Sequence, residues 1–329
     1  MNAMKREMMK AGMAKPQGAD FMDYLDRQAR FKVSIGKVRV SEIYDTLWMK
    51  MNRWLNGRKL YFDDINGDNM QAFEAWMKSQ GNCLNTISSY FRAMRAVYNK
   101  GVEEGLFEAP RVSPFKHVYT GIAKTVKRAI PITRVKYIAN LNFDEMPGLH
   151  KATKKSLEYA RDMFMFSFYT RGMSFVDMCY LKKSDLKNGY LVYCRRKTGQ
   201  QLFIKWEDCM EDIRKKHSAS EGSPYLLDLL DTDADLRNCL KRKQFSINYA
   251  LKKIGELAGV GNTLTMYVAR HSWASACKNS NIPLSVISEG MGHDNEETTR
   301  IYLAQLDTSI VDKANRKIIK QVAFPKTRN

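Results

Sequence analysis

The chain has 329 residues, enough for two domains that each bury a core, and 44% hydrophobic with 27% charged residues excludes a disordered protein. Its 54 Lys and Arg against 35 Asp and Glu give a net charge of +19, which favours a polyanionic partner, with nucleic acid ahead of a membrane surface, although charge alone also fits a generically basic protein. The six cysteines form no CxxC pair, no stretch approaches about 18 apolar residues, and the N-terminus lacks a signal-peptide core. We therefore expect a cytoplasmic protein without a disulfide framework, a zinc site or a membrane span.

A compact helical domain is predicted over residues 19–118, after a lead-in of residues 1–18 that we expect to be flexible. Apolar residues recur there at helical spacing in three stretches. The first helix is predicted to end at Asn56-Gly57, the second to begin with Asp68 as its N-cap, and the third to stop at Gly101.

The basic, aperiodic segment 119–130 is predicted to be a linker, whose cations either follow a phosphate backbone or form a solvated tether. The second domain, residues 131–308, is predicted to open with a helix near 133–142. A segment that is apolar on most faces, 155–173, predicts its buried central helix.

Two alternating runs, 189–194 and 201–206, predict a β-hairpin with a basic tip at the turn Lys197-Thr198-Gly199. Later helices are predicted over three stretches and one short segment begun by Pro283. The three stretches are 248–259 with Gly259 as stop, 265–280, and 296–306. Residues 309–329 are compatible with a C-terminal helix or tail.

Four residues of the second domain together suit the cleavage and rejoining of a phosphodiester. Tyr302 is a candidate nucleophile, because a phosphotyrosine linkage conserves the bond energy and needs no ATP or other cofactor. Arg270 offers a planar fork for two phosphate oxygens, and His293 can donate to the phosphate or carry the tyrosine proton. Lys197 at the hairpin tip is a candidate general acid for the leaving oxygen. No carboxylate cluster suits two-metal catalysis, so we expect no metal requirement.

Taken singly, each of these residues has a simpler explanation. A tyrosine on an apolar helix face is more often a core residue, a hairpin-tip lysine is usually only solvated, and a lone histidine after Gly292 is unremarkable. The functional interpretation therefore rests on the order and spacing of the four residues taken together.

The motifs resemble those of the tyrosine recombinases, the phage integrase family. GMGHDNEETTRIY is similar to the LGH-x8-Y signature, with His293 and Tyr302 nine positions apart. YVARHSWAS resembles the HxxRH box, LVYCRRKTGQ resembles the lysine-bearing hairpin, and the likeness runs from about residue 19 to 310.

The resemblance implies a mainly α fold with a small β-hairpin in the catalytic domain. It implies a C-shaped clamp, with a helical SAM-like core-binding domain on one face of the DNA duplex and the catalytic domain on the other. The expected partners are double-stranded DNA with specific sites, three further copies of the chain in a tetramer, and accessory DNA-bending proteins. The helix around 309–323 is expected to dock on a neighbouring protomer.

Two positions depart from the family pattern. Ser174 occupies the slot of the first arginine in the family's G-L-R context, and the nearest arginine is Arg171, three residues earlier. Because positions i and i+3 share a helix face, we expect Arg171 to reach the same phosphate from one turn back. Tyr267 stands where the box has histidine, and its phenol can donate to phosphate but is a poor acid or base at pH 7. Asp177 is expected to bond backbone rather than to act as a base.

His271 is expected to pack the site or lie behind it, because it points about 100° away from Arg270 on a helix. The candidate DNA-binding cations are Arg92, Arg95, Lys124, Lys127, Arg128, Arg195 and Arg196.

Three functions remain open: a site-specific recombinase, a catalytically silent DNA-binding protein with the same fold, and a type IB topoisomerase. Within the first, no upstream arm-binding domain is expected, which favours an invertase or resolvase-like enzyme over a phage-type integrase.

Overall fold

The computed structural model describes residues 18–123, 128–230, 235–293, 295–296, 299 and 303. The chain divides into two compact units, Met1–Val126 and Lys127–Asn329. The described elements are helices and one small sheet, which confirms the mainly α class. Within these ranges no helix is long and apolar enough to cross a bilayer. Several predicted features lie outside the described residues: the lead-in, Lys124, Lys127, Tyr302, most of the predicted helix 296–306, and the C-terminal segment.

Among its described residues, 18–123, the first unit has four helices around one apolar core, with a short 3-10 turn between the second and third. Large aromatic side chains, among them Phe62, Phe73 and Phe91, fill this core without solvent exposure beyond about 1% of their surface. The helices are α1 Phe21–Ser34, α2 Val38–Leu55, α3 Gly67–Ser79 and α4 Leu84–Glu103.

The helix ends in this unit test three sequence predictions. Asn56 takes the left-handed conformation (φ 48°) and ends α2, as predicted. The N-cap of α3 is Asn66, whose side chain accepts from the Asn69 N–H at 2.9 Å, so the prediction of Asp68 was wrong.

Gly101 does not stop α4, which continues to Glu103, so that prediction was also wrong. Gly101 is buried against Phe62, and an added Cβ would lie 2.5 Å from the Phe62 Cε1 atom. The glycine is present because the ring needs its space, and a packing glycine cannot be told from a terminating one by sequence.

Residues 119–123, here named the exit segment, are bound to α4 instead of forming a solvated tether. Phe115 and Val118, just before the exit segment, belong to the core of the first unit. Four side-chain hydrogen bonds hold the exit segment itself: Asn85 Nδ2 to Ala123 O (3.0 Å), Ala123 N to Asn85 Oδ1 (2.8 Å), Ser88 Oγ to Gly121 O (2.7 Å) and Arg92 Nε to Thr120 O (3.0 Å).

The second unit is built around one central helix, α6, which packs against α8, α9 and α10. Its core also includes Ile130, a residue of the predicted linker, whose N–H donates to the Ser272 hydroxyl at 3.0 Å. The helices are α5 Ile132–Ala139, α6 Lys151–Tyr169, α7 Phe175–Cys179, α8 Asp208–Lys216, α9 Leu236–Leu257, α10 Met266–Asn279 and α11 Leu284–Met291.

The central helix ends at Tyr169, four residues before the predicted end. Arg171 (φ 61°) and Gly172 (φ 73°) both take the left-handed conformation, and Gly172 donates its N–H to the Ser167 carbonyl at 2.8 Å. Ser174 is then the N-cap of α7, with its hydroxyl accepting from the Asp177 N–H. Arg171 and Ser174 therefore do not share a helix face, and the helix-periodicity argument for Arg171 was wrong.

The sheet is antiparallel, in the order β1-β2-β3, with β1 Leu186–Lys187, β2 Tyr190–Cys194 and β3 Gln201–Lys205. Leu191 and Tyr193 of β2 and Leu202 and Ile204 of β3 alternate into the core. The predicted hairpin is thus confirmed, and its turn carries Lys197.

Candidate active site

Arg270, in the second turn of α10, is the centre of the candidate site. Its side chain is buried, with 5% of the residue exposed. The guanidinium donates to the Gly172 carbonyl at 2.8 Å, to the Met291 carbonyl at 2.6 Å and to His293 Nε2 at 3.0 Å. One planar cation thereby joins the turn after α6, the end of α11 and the histidine that follows it.

Gly172 allows the backbone to approach Arg270 closely. A Cβ at this position would lie 2.6 Å from the Arg270 Cα, inside any real contact distance. Together with φ 73°, this contact requires glycine at position 172. Gly172 lies two positions before Ser174, which occupies the slot of the family's first arginine. In the structure this glycine leaves room for Arg270, the arginine of the HxxRH-like box.

His293 follows Gly292, which caps α11 in the left-handed conformation (φ 64°). Its Nε2 accepts from Arg270, so the ring proton is assigned to Nδ1, which donates to the Thr299 hydroxyl at 2.7 Å. Burial, followed by the charges of Arg270, Arg195 and Lys197, lowers the pKa of His293 to about 4. The imidazole is therefore neutral at pH 7 in the free protein.

Lys197 is exposed at the hairpin tip, and Asp177 holds the backbone of the residue just before it. One Asp177 carboxylate oxygen accepts from the Arg196 backbone N–H at 2.9 Å, and the other accepts from the Ser174 hydroxyl at 2.7 Å. The Arg196 guanidinium lies 3.9 Å from the ring centre of Tyr180, a cation–π contact. Asp177 thus bonds the backbone of the turn that carries Lys197.

Arg195 corrects the sequence reading, which made it a DNA-contacting cation. The residue is 7% exposed, and its Nη1 donates to the Gly292 carbonyl. A guanidinium buried under the turn before His293 is not available to a surface ligand. Strand alternation predicts that Arg195 and Arg196 point to opposite faces but does not show which of the two points inward.

Arg171 is partly buried, and its Cδ lies 3.7 Å from the place where a Cβ at Gly290 would stand. A second observation on Arg171 is its electrostatic effect on the phenol of Tyr193. Burial, together with Asp177, raises the pKa of Tyr193, while Arg270, Arg195 and Arg171 act in the opposite direction. Three guanidinium charges therefore act on one buried phenol. Tyr193 was missed by sequence reasoning, although the inward phase of β2 could have indicated it.

Tyr267 and His271 lie one turn apart on α10, with their rings edge to face at 4.6 Å. Tyr267 is 49% exposed, whereas burial, then Arg128 and Arg270, lowers the pKa of His271 to about 4. A cavity of about 130 Å³ lies beside them, lined by Met173, Ser174, Phe175, Val176, Gln244, Met266, Tyr267 and Arg270. Ser174 therefore borders the same space as Arg270. Gln244 on α9 was also missed, because nothing in the sequence links it to the motifs.

The remaining described candidates for DNA contact are exposed cations. Arg92 and Arg95 are exposed on α4 of the first unit, and Arg128 is exposed at the start of the second described range. Thr299, fully buried, and Leu303, packed with Ala274, Ile287 and Met291, are described residues near Tyr302 in sequence.

The chain matches two family models that together span most of its length. The Phage integrase SAM-like domain matches residues 20–117, and the Phage integrase family matches residues 139–309. The Tyrosine recombinase XerA of Thermococcus kodakarensis is 25% identical over 244 residues, covering 73% of this chain and 77% of that protein. The Tyrosine recombinase XerD of Pseudomonas aeruginosa is 22% identical over 266 residues, covering 79% and 85%.

Solved structures show the same fold at lower identity. A lambda integrase dimer bound to a COC' core site matches with a TM-score of 0.65 at 14% identity, covering 93% of this chain and 87% of that one. The Tn1549 transposon integrase in complex with transposon right end DNA matches with a TM-score of 0.64 at 14% identity, covering 93% and 100%. With the Arg270–His293 arrangement and the two matched domains, the chain belongs to the phage integrase family and is a tyrosine-type site-specific recombinase.

Proposed function

We propose that this chain cuts and rejoins double-stranded DNA at specific sites through a 3′-phosphotyrosine intermediate on Tyr302. The observation that carries the proposal is the contact of buried Arg270 with half-buried His293, with the guanidinium held by the carbonyls of Gly172 and Met291. A guanidinium fixed in this way is a preorganised receptor for a phosphodiester, because it does not reorganise when charge develops.

The proposed step exchanges one phosphodiester for another. The Tyr302 oxygen bonds to phosphorus, the bond from phosphorus to the 5′ oxygen breaks, and Lys197 supplies the proton that the leaving oxygen takes up. Phosphate oxygens compete with His293 Nε2 for the Arg270 N–H, and their negative charge offsets the positive charges that, after burial, lower the His293 pKa. His293 can then accept the phenolic proton, so that protons balance over the step.

We assign Arg171 as the second cation at the phosphate. Ser174 does not supply a positive charge, and its hydroxyl is engaged with Asp177 at 2.7 Å. Arg171 instead shares with Arg270 an electrostatic influence on Tyr193. Arg171→Ala should therefore slow cleavage by about 10²-fold, with partial recovery in Arg171→Lys. Cleavage at the wild-type rate in Arg171→Ala would remove this residue from the site.

DNA and further copies of the chain are the proposed partners, in the cytoplasm of a bacterial cell. Solved relatives in the same fold are described as a dimer on a core site and as a tetramer on a Holliday junction. The proposed roles of the terminal segments follow the family: residues 19–118 bind DNA, and residues 309–329 dock on a neighbouring protomer. Arg95, Arg128 and Arg196 keep exposed positions suited to phosphate contact.

Because the target site is unknown, the test uses a pool of nicked duplexes with random sequence around the nick. Cleavage releases a short fragment, so the covalent adduct accumulates, and sequencing the attached DNA identifies the site. We expect adducts with the wild type and none with Tyr302→Phe. The binding constant on the recovered site should fall with salt, with a slope of about −0.9 per neutralised phosphate.

The same experiment distinguishes the two other functions. Selective binding of one sequence without an adduct indicates the catalytically silent DNA-binding protein, which Ser174 in the arginine slot favours. Adducts without sequence preference, together with relaxation of a supercoiled plasmid, indicate a topoisomerase.

A further inference from the structure

Gly292, the residue before His293, is enclosed by side chains of the β2–β3 hairpin. Arg195 Nη1 and, at 3.4 Å, the Thr198 hydroxyl both donate to its carbonyl. A Cβ on Gly292 would lie 3.2 Å from the Arg195 Cδ and 3.1 Å from the Leu202 Cδ1. The hairpin and the turn at the end of α11 are therefore in direct contact.

This contact fixes a single peptide plane. The Gly292 carbonyl and the His293 N–H belong to one planar unit, and the N–H side donates to the Ser288 carbonyl at 3.1 Å. Arg195 and Thr198 hold the oxygen edge of that plane, and Ser288 holds the nitrogen edge. The direction in which the His293 side chain leaves the backbone is thereby set by the hairpin as much as by α11.

The backbone of Arg195 also closes the turn that carries Lys197. Its N–H donates to the Gln200 carbonyl at 2.8 Å, and its carbonyl accepts from the Gly199 N–H at 2.7 Å. The same residue thus fixes Lys197 through its main chain and the His293 turn through its side chain.

Stability does not account for a buried arginine here. Arg195 Nε and Gln200 Oε1 are buried, and neither has a hydrogen-bond partner within the described part of the chain. An orphaned buried polar group costs about 1–3 kcal/mol; an apolar side chain of similar size avoids that cost at Nε, and the Thr198 hydroxyl at 3.4 Å remains as a donor to the Gly292 carbonyl. A positioning role explains why a cation occupies this place.

We propose that Arg195 is a positioning residue that couples the Lys197 hairpin to the His293 turn, so that both groups align on the phosphate as one unit. The inference rests on the proposed function, because it concerns the cleavage step assigned there. It differs from a DNA-contacting role, since Arg195 is buried and acts through Gly292.

The test is a kinetic double-mutant cycle on the nicked site recovered above, at saturating protein. We compare wild type, Arg195→Met, Lys197→Ala and the double variant by single-turnover cleavage. Arg195→Met should cleave about 10²-fold more slowly, because a displacement of about 1 Å costs this much, while DNA binding stays within about threefold. In the Lys197→Ala background the same substitution should cost at least about tenfold less, because residues acting as a unit are non-additive.

A 5′-bridging phosphorothiolate substrate gives a second readout that a purely structural role would not change. Its leaving sulfur needs no general acid, so Lys197→Ala should regain its rate. On this substrate the cleavage rate of Arg195→Met should rise by the factor lost through misplacement of Lys197. It should stay below the wild-type rate by the factor lost through misplacement of His293. Recovery equal to that of Lys197→Ala, or none, would contradict the coupling.

Arg214→Met is the matched control, since it removes a partly buried arginine paired with Glu211 at 2.6 Å on α8. It should cleave at the wild-type rate. If Arg195→Met unfolds below the assay temperature, Arg195→Lys replaces it in the cycle, retaining the charge but losing the planar fork. Wild-type cleavage by the Arg195 variant, or fully multiplicative losses, overturns the inference alone. Absence of any wild-type adduct overturns the proposed function and this inference with it.

Discussion

Replacing Gly172 with alanine should lower the free energy of unfolding and also slow the cleavage step. The two effects can be measured separately. The added Cβ would lie 2.6 Å from the Arg270 Cα and 2.8 and 2.9 Å from its Cγ and Cβ. Because the first of these atoms is backbone, α10 or the turn after α6 must shift. Such overpacking costs about 1–3 kcal/mol. The left-handed φ of 73° adds about 1–2 kcal/mol for a residue with a Cβ.

Gly189→Ala is the matched control for the backbone strain. Its φ is 74°, almost equal to that of Gly172, and its Cβ would meet nothing within 4 Å. It should therefore lower the free energy of unfolding by about 1–2 kcal/mol only. Urea unfolding followed by circular dichroism should show Gly172→Ala to be less stable than this control by about 1–3 kcal/mol.

The same pair separates stability from catalysis. A shift of about 1 Å in the Arg270 guanidinium should slow adduct formation by about 10²-fold in Gly172→Ala, while Gly189→Ala keeps its rate. Equal destabilisation in both variants would refute the close contact between Gly172 and Arg270. Normal cleavage in a destabilised Gly172→Ala would refute the role of that contact in placing the guanidinium.

Three further expectations concern other parts of the chain. Gly101→Ala places a Cβ 2.5 Å from a Phe62 ring atom and should destabilise the first unit by about 1–3 kcal/mol, as urea unfolding would measure. The pKa values of His271 and His293 are lowered to about 4, so between about pH 6.5 and 4 the unfolded chain binds protons that the native state does not. The free energy of unfolding should therefore fall as pH falls through this window, by at most about 3 kcal/mol per histidine, and less with either residue replaced by Asn. Asn85→Ala removes two hydrogen bonds to the exit segment and should speed its amide exchange, whereas unchanged exchange would show that the segment is held by other contacts.

The hairpin and several of the helices could be predicted because they depend on local pattern, although α9 begins at Leu236, before the predicted stretch 248–259. Apolar spacing in α4 and α9, alternation in β2 and β3, and the stop at Gly259 need only a few neighbouring residues. The failures at Asp68 and Gly101 have a different origin. A glycine that makes room for a ring and one that ends a helix are identical in sequence, and only the position of Phe62 separates them.

The residues of the candidate site also divide into those that a sequence pattern indicates and those that depend on contacts distant in sequence. Arg270 and His293 could be predicted because the spacing of the motifs is visible in the sequence alone. The position of Arg171 depended on where α6 ends, and two consecutive left-handed residues were not foreseen. Arg195 required knowledge of contacts between residues about one hundred positions apart, which no local pattern contains.

The triple bonding of Arg270 has a consequence for how relatives of this chain are compared. Its guanidinium ties two segments that are distant in sequence, the turn after α6 and the end of α11, so losing it would leave the carbonyls of Gly172 and Met291 without that donor inside the protein. Selection for folding alone can therefore retain this arginine in a lineage that no longer cuts DNA. Exposed Lys197 has no such structural role among the residues that the structure describes. Its replacement in a relative would therefore be the better sign that the relative no longer cleaves DNA.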